Sequence, residues 1–120
     1  MPVVDVQLVA EAPRLPEDLA SRLAEALAGV FASPAGRVWI RLSALPATYY
    51  AENGARAPDA LPVFVRVLHA DLPSDEVLST QAQAISSAVA ACVARPSQCV
   101  HVEYAPAGRG RMAFGGQLVR

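Results

Sequence analysis

The chain has 120 residues, with ten arginines, no lysines and eleven acids for a formal net charge of −1, a length that suits one domain and leaves little room for a second. Hydrophobic residues at 53% against 18% charged exclude a mainly disordered chain, and the near-neutral balance argues against a general nucleic-acid binder. No apolar run approaches the roughly 20 residues that span a bilayer, Met1-Pro2-Val3-Val4-Asp5 lacks the basic region of a signal peptide, and the two cysteines, Cys92 and Cys99, make neither a zinc site nor a disulfide framework. These limits describe a soluble, cytoplasmic single domain over residues 1–120.

Residues 2 to about 9 are rich in valine and read as a strand. Pro13 and Pro16 then mark a turn. Pro16 suits the first turn of a helix, and Glu17 and Asp18 suit its positive start. Leu19, Leu23, Leu27 and Val30/Phe31 recur at helical spacing, and the helix ends near Ser33-Pro34-Ala35-Gly36. Arg37 to Leu42 alternates as a strand, with Arg37, Trp39 and Arg41 on one side and Val38, Ile40 and Leu42 on the other. A turn-rich segment, Tyr49 to Gly54, closes this half.

The pattern then starts again. Pro62 to Leu68 reads as a strand, Leu72-Pro73-Ser74-Asp75 opens a second helix carrying Leu78, Ile85, Val89 and Cys92/Val93, and Pro96 stops it. Val100 to Tyr104 is the following strand, and Phe114-Gly115-Gly116 closes the second half as Glu52-Asn53-Gly54 closes the first. Landmarks recur at nearly one spacing: Pro2 and Pro62 are 60 residues apart, Pro16 and Pro73 57, Val38 and Val100 62, Gly54 and Gly116 62. The chain reads as two β-α-β units, over about 1–58 and 61–120. Two such units predict an α/β (α+β) fold with one four-stranded mixed sheet and both helices on one face. The other face is left bare, so association into a small closed ring is expected.

A Met-Pro start followed by a valine-rich strand, in a duplicated β-α-β chain, resembles the tautomerase superfamily of 4-oxalocrotonate tautomerase, 5-carboxymethyl-2-hydroxymuconate isomerase, malonate semialdehyde decarboxylase and macrophage migration inhibitory factor. The resemblance spans the whole chain and rests most on Pro2, on Arg37 to Leu42, on Val100 to Tyr104 and on the tail Gly108 to Gly116. It implies a homotrimer of the long, two-unit kind. It also implies cofactor-free enol–keto tautomerisation of a small 2-hydroxy-dienoate or arylenolpyruvate-like acid, with no metal, nucleic-acid or membrane partner. Removal of Met1 would free the Pro2 amine to act as general base. An α-amino group titrates near 7.7–8.0, and burial or nearby guanidinium charge lowers that further, which places a base near neutral pH. The alternatives are a decarboxylase or hydratase of small unsaturated or 3-oxo acids, and a non-enzymatic trimer that binds a ligand or partner.

The substrate carboxylate is best held by a guanidinium fork. The candidates are Arg37 and Arg41 on the second strand, and Arg109 and Arg111 before the Gly-Gly turn, each set against a role as a solvated charge or in an ion pair. Tyr50, with Tyr49, offers a phenol to an enolate or else packs at a strand end. His101 is a pocket-edge group or a sheet residue. Glu103 activates a water in the hydratase reading and forms an interface salt bridge with an arginine in the other. Trp39 is read as packing or as a pocket wall and Cys92 as core, and Cys99 has no catalytic role.

Overall fold

The computed structural model describes residues 2–12, 14–54 and 60–120. Strand β1 (Val3–Ala10) turns Val4, Val6 and Leu8 to one side, all at most 4% exposed, and Val3, Asp5 and Gln7 to the other. Helix α1 (Leu19–Phe31) follows. Its buried Leu19, Leu23 and Leu27 lie one turn apart, forming the stripe that packs on the sheet. Pro16 sits just before the helix rather than in its first turn: the Leu19 amide donates to the Pro16 carbonyl at 3.2 Å.

β2 (Trp39–Pro46) continues four residues beyond the expected Leu42 and passes into one turn of 3₁₀ helix, Ala47–Tyr49. It begins at Trp39, so Arg37 lies just outside it. β3 (Val63–Leu68) buries Val63, Val65 and Val67. α2 (Asp75–Val93) starts at Ser74, whose Oγ accepts the Val77 amide at 3.4 Å, with Asp75 and Glu76 in the first turn. It buries Ile85, Val89 and Ala90, and Cys92 is partly buried against the core. β4 (Val100–Tyr104) is followed by a short hairpin, β5 (Ala113–Phe114) and β6 (Gln117–Leu118), whose connecting Gly115 and Gly116 both have positive φ, 57° and 84°. Two consecutive positive φ angles suit a tight turn that glycine enters without steric cost. The first unit has no such hairpin among the described residues, so the expected equivalence of the two unit ends is only approximate.

The sheet order is β2-β1-β3-β4, with β1 parallel to β2, β3 parallel to β4, and β1 antiparallel to β3. Both helices pack on the same face, against each other and against the valine-rich sides of the strands. This is the predicted four-stranded mixed sheet. Among the described residues no helix packs on the opposite face, which only the β5–β6 hairpin touches, at Trp39. The radius of gyration is 15.0 Å, against about 13.6 Å for a compact chain of this length. The accessible surface is 7433 Å², about a fifth more than the ~6200 Å² typical of a folded monomer of this mass.

The repeat also appears in the backbone. Both helices end on an alanine in the left-handed conformation, Ala32 at φ 51° and Ala94 at φ 56°. The two stand 62 residues apart, as Val38 and Val100 do. A left-handed residue with a Cβ costs roughly 1–2 kcal/mol, while glycine adds about 0.4–1 kcal/mol of unfolded-chain freedom. Ala94→Gly is therefore expected to stabilise the fold by about 0.5–1 kcal/mol, seen as a higher urea midpoint. A lower midpoint would contradict the strain argument.

Candidate functional site

The open face is organised in rows set by strand register. Nearest the Pro2 end lie Trp39, Val3 and Leu68. The next row crosses all four strands as Arg41, Asp5, Arg66 and Glu103, and the one after as Ser43, Gln7, Phe64 and His101. In the charged row the Arg41 Nε donates to Asp5 at 2.5 Å and its Nη2 to the other carboxylate oxygen at 2.9 Å. Arg66 Nη1 donates to both Glu103 oxygens at 3.3 and 3.4 Å. The Asp5 carboxylate raises the Arg41 pKa further above its ordinary value, first through the hydrogen bond and then through charge.

Two cavities flank this row. One, of about 440 Å³, is lined by the third row and its neighbours, including Gln7, Ser43, Phe64 and His101, together with the charged row. The other, of about 280 Å³, lies toward the Pro2 end and is lined by Val3, Leu68, Asp5, Arg41 and Arg66, and by Ala105 to Gly108, Arg111 and Met112. Its far wall exists because the chain after β4 crosses the end of the sheet. The Ala105 amide donates to Val67 at 2.9 Å, Gly108 to His69 at 2.8 Å and Arg109 to Ala70 at 3.0 Å. The hairpin beyond then reaches β2, where Phe114 meets Trp39 edge-on with ring centroids 4.9 Å apart. Gly108 lies close under Met112, whose side chain would have to shift to make room for a Cβ there.

Pro2 is buried at the same end, one residue before Val3, and its carbonyl accepts the Trp39 amide at 3.2 Å. Met1 lies outside the described residues, so the expectation about its removal is not addressed by the structure. The arginines separate by their partners. Arg111 lines the second cavity, and among the described residues it has no carboxylate partner. Arg41 reaches both cavities but is held by Asp5. Arg109 lines neither. Its Nε donates to Asp71 at 2.8 Å, a second nitrogen donates to the other Asp71 oxygen, and Nη1 donates to the Arg120 carbonyl. Arg37 is exposed and also lines neither.

His101 lines the first cavity, its ring centroid 5.7 Å from that of Phe64. Tyr50 stands behind Phe64 at 6.0 Å and donates to Glu52 at 2.6 Å, a bond that raises the phenol above its ordinary pKa. Tyr49 is 78% exposed. Glu103 is engaged by Arg66 of the same sheet rather than by an arginine across an interface. Sequence reasoning passed over Arg66, although the alternation of Phe64 and Arg66 with three buried valines carries the same signal that singled out Arg41. Among the described residues no cluster of His, Cys, Asp or Glu is suited to a metal ion, and no helix is long and apolar enough to cross a membrane.

No family model and no curated protein matches the sequence, but solved structures match its fold. A fused 4-OT (F6), solved as an asymmetric trimer, superposes with a TM-score of 0.77 over 98% of this chain and 95% of its own, at 24% identity. The macrophage migration inhibitory factor of Oncomelania hupensis gives 0.74 over 100% and 83%, at 17% identity. FG41 malonate semialdehyde decarboxylase, inhibited by 3-bromopropiolate, gives 0.71 over 94% and 88%, at 18% identity. The fold is the one these tautomerase-superfamily structures share.

The Asp71–Arg109 pair clasps the segment that walls the second cavity. Arg109 lowers the Asp71 pKa, chiefly by hydrogen bonding. A carboxylate with a depressed folded-state pKa stabilises above its unfolded value and loses that contribution as pH falls through the folded one. Amide protection at Gly108 and Arg109 should therefore hold at neutral pH and fall only below about pH 4. Asp71→Asn should show the loss already at pH 7 in hydrogen exchange. Protection unchanged in that variant would remove the clasp from the account.

Proposed function

We propose that the protein is a cofactor-independent tautomerase of small enol or keto acids, with the Pro2 amine, freed by removal of Met1, as general base, working as a homotrimer. The observation that carries this reading is the second cavity: it lies at the Pro2 end of the sheet, it is small, and three arginines and one carboxylate line it. That surplus of positive charge favours an anion and disfavours a protonated amine beside it. Arg111, with no competing carboxylate among the described residues, is the fork on which a substrate carboxylate would rest. Leu68, Ala105, Pro106 and Met112 supply an apolar wall for a short conjugated or aryl part.

The chemistry follows from that pairing. Pro2 nitrogen accepts the proton of the enol hydroxyl and returns it to the adjacent carbon, while Arg111 holds the carboxylate and steadies the charge that builds on the conjugated oxygen. Arg41 and Arg66 add field rather than direct grip, since Asp5 and Glu103 occupy them. Arg37, Arg109, Tyr50 and His101 have lesser claims as substrate ligands. The uncovered face and the excess surface support the ring, and the fused 4-OT structures of the same fold are trimers.

The test compares two preparations of one sequence, with and without Met1 by intact mass, on an arylenolpyruvate followed by absorbance. In the retained form the Pro2 lone pair is delocalised into an amide, and the nitrogen is not a base. The processed chain is expected to turn over and the retained chain to be inert. Arg111→Ala in the processed chain should lower kcat/KM by roughly ten- to hundredfold, the size expected for a lost charged hydrogen bond, with folding unchanged. Equal rates with and without Met1 would remove Pro2 from the mechanism.

A further inference from the structure

The helix side of the sheet carries a polar cluster at the same end as the second cavity. The apolar stripe of α2 runs through Leu78, Ile85, Val89 and Cys92, and the stripe position between Leu78 and Ile85 is taken by Gln81. Its Oε1 accepts the Tyr104 hydroxyl at 2.9 Å and lies 3.0 Å from His69 Nε2. An amide oxygen offers only lone pairs, so His69 Nε2 holds the ring proton and donates as well. The Tyr104 hydroxyl also reaches the Leu78 carbonyl at 3.4 Å. The His69 and Tyr104 rings stack, with centroids 6.0 Å apart and planes 17° from parallel. Phe31, at the end of α1, meets His69 edge-on at 5.4 Å. His69, Gln81 and Tyr104 are all half-buried, and burial raises the Tyr104 pKa, so the hydroxyl keeps its proton for this bond.

His69 and Tyr104 stand at the ends of β3 and β4, and each is the chain neighbour of a residue that lines the second cavity, Leu68 and Ala105. The backbone joins the same two segments, because the Ala105 amide donates to Val67 and the Gly108 amide to His69. One side-chain oxygen therefore ties both segments to α2. We infer that Gln81 is a positioning residue for the second cavity: by holding His69 and Tyr104 at once, it fixes the end of β3 against the chain after β4, and with it the placement of Arg111. A leucine at this position would continue the apolar stripe but would take the acceptor away from two half-buried donors, which is costly. The consequence for rate rests on the reading of the cavity proposed above, whereas the consequence for the backbone does not.

Hydrogen exchange and kinetics test the two consequences separately. Gln81→Leu should speed exchange at the Ala105 and Gly108 amides roughly tenfold, the size expected for one or two lost hydrogen bonds. The Val9 amide, which donates to Pro62 at the other end of the sheet, should exchange as before. Gln81→Glu, whose carboxylate accepts both bonds, should restore the original rates. In the chain lacking Met1, Gln81→Leu should lower kcat/KM roughly tenfold, and Gln81→Glu should recover it. Added to Arg111→Ala, the same substitution should cost less than about twofold, since the wall then has no guanidinium to place, whereas a general loss of stability would multiply through both backgrounds. If Gln81→Leu does not fold, Tyr104→Phe keeps the ring, removes one of the two bonds and should move exchange and rate the same way by less. Unchanged exchange at Gly108, no rescue by Gln81→Glu, or a full multiplicative loss beside Arg111→Ala overturns the positioning role. Faster exchange rescued by Gln81→Glu, in a processed chain that turns nothing over, supports the role of Gln81 at the wall and overturns the tautomerase reading alone.

Discussion

A four-stranded sheet with helices on one side is the constraint from which the rest of this molecule follows. Val4, Val6, Leu8, Val63, Val65 and Val67 meet the leucine stripe of α1 and the Ile85 and Val89 of α2 in one core. Among the described residues, only the segment after β4 and its hairpin reach the other face, at one end. Such a face in a lone chain must be polar enough to stay in water or be covered by another copy, and this one has the means for both. Its charged row satisfies itself by ion pairs across the strands, while Trp39 and Phe64 stay 46% and 37% exposed on the same face.

The same open face explains where a site can form. A cavity needs walls, and the helices wall nothing on this side. The chain after β4 supplies the wall instead by crossing the sheet end, held by backbone hydrogen bonds to the β3–α2 loop and by the Asp71–Arg109 clasp. It brings Arg111 and Met112 over Val3 and Leu68, at the end where Pro2 begins the first strand. The arginines of this protein thus divide by their carboxylate partners rather than by their number. Arg41, Arg66 and Arg109 are occupied in holding structure, and Arg111 faces the cavity with none among the described residues.

Much of the architecture is legible from the residues alone. Alternation over PVVDVQLV and PVFVRVL, the leucine spacing of α1 and the Ser74-Asp75 helix start are local signals, and each is strong because one face of each element is dry. The duplication adds the topology, since two similar β-α-β units leave few ways to form one sheet. The site is less legible because it depends on register. That Arg41 lies opposite Asp5, and Arg66 opposite Glu103, is a relation between residues some 36 positions apart in the chain, and no local pattern encodes it. Arg37 and Arg41 therefore look alike in the sequence, although one lies outside the strand and the other on the charged row. The path of the C-terminal segment back to Trp39 is likewise set by tertiary contacts that the Gly-Gly turn alone does not announce.

The central claim is that the cation-lined cavity acts on the Pro2 nitrogen. Titration of that nitrogen by ¹⁵N NMR, in the chain lacking Met1, measures it directly. The account predicts a pKa below about 7.7, the lower edge of the ordinary α-amino range, and a rise toward that range in Arg111→Ala. A nitrogen that titrates at or above the ordinary range and does not respond to Arg111→Ala would contradict it.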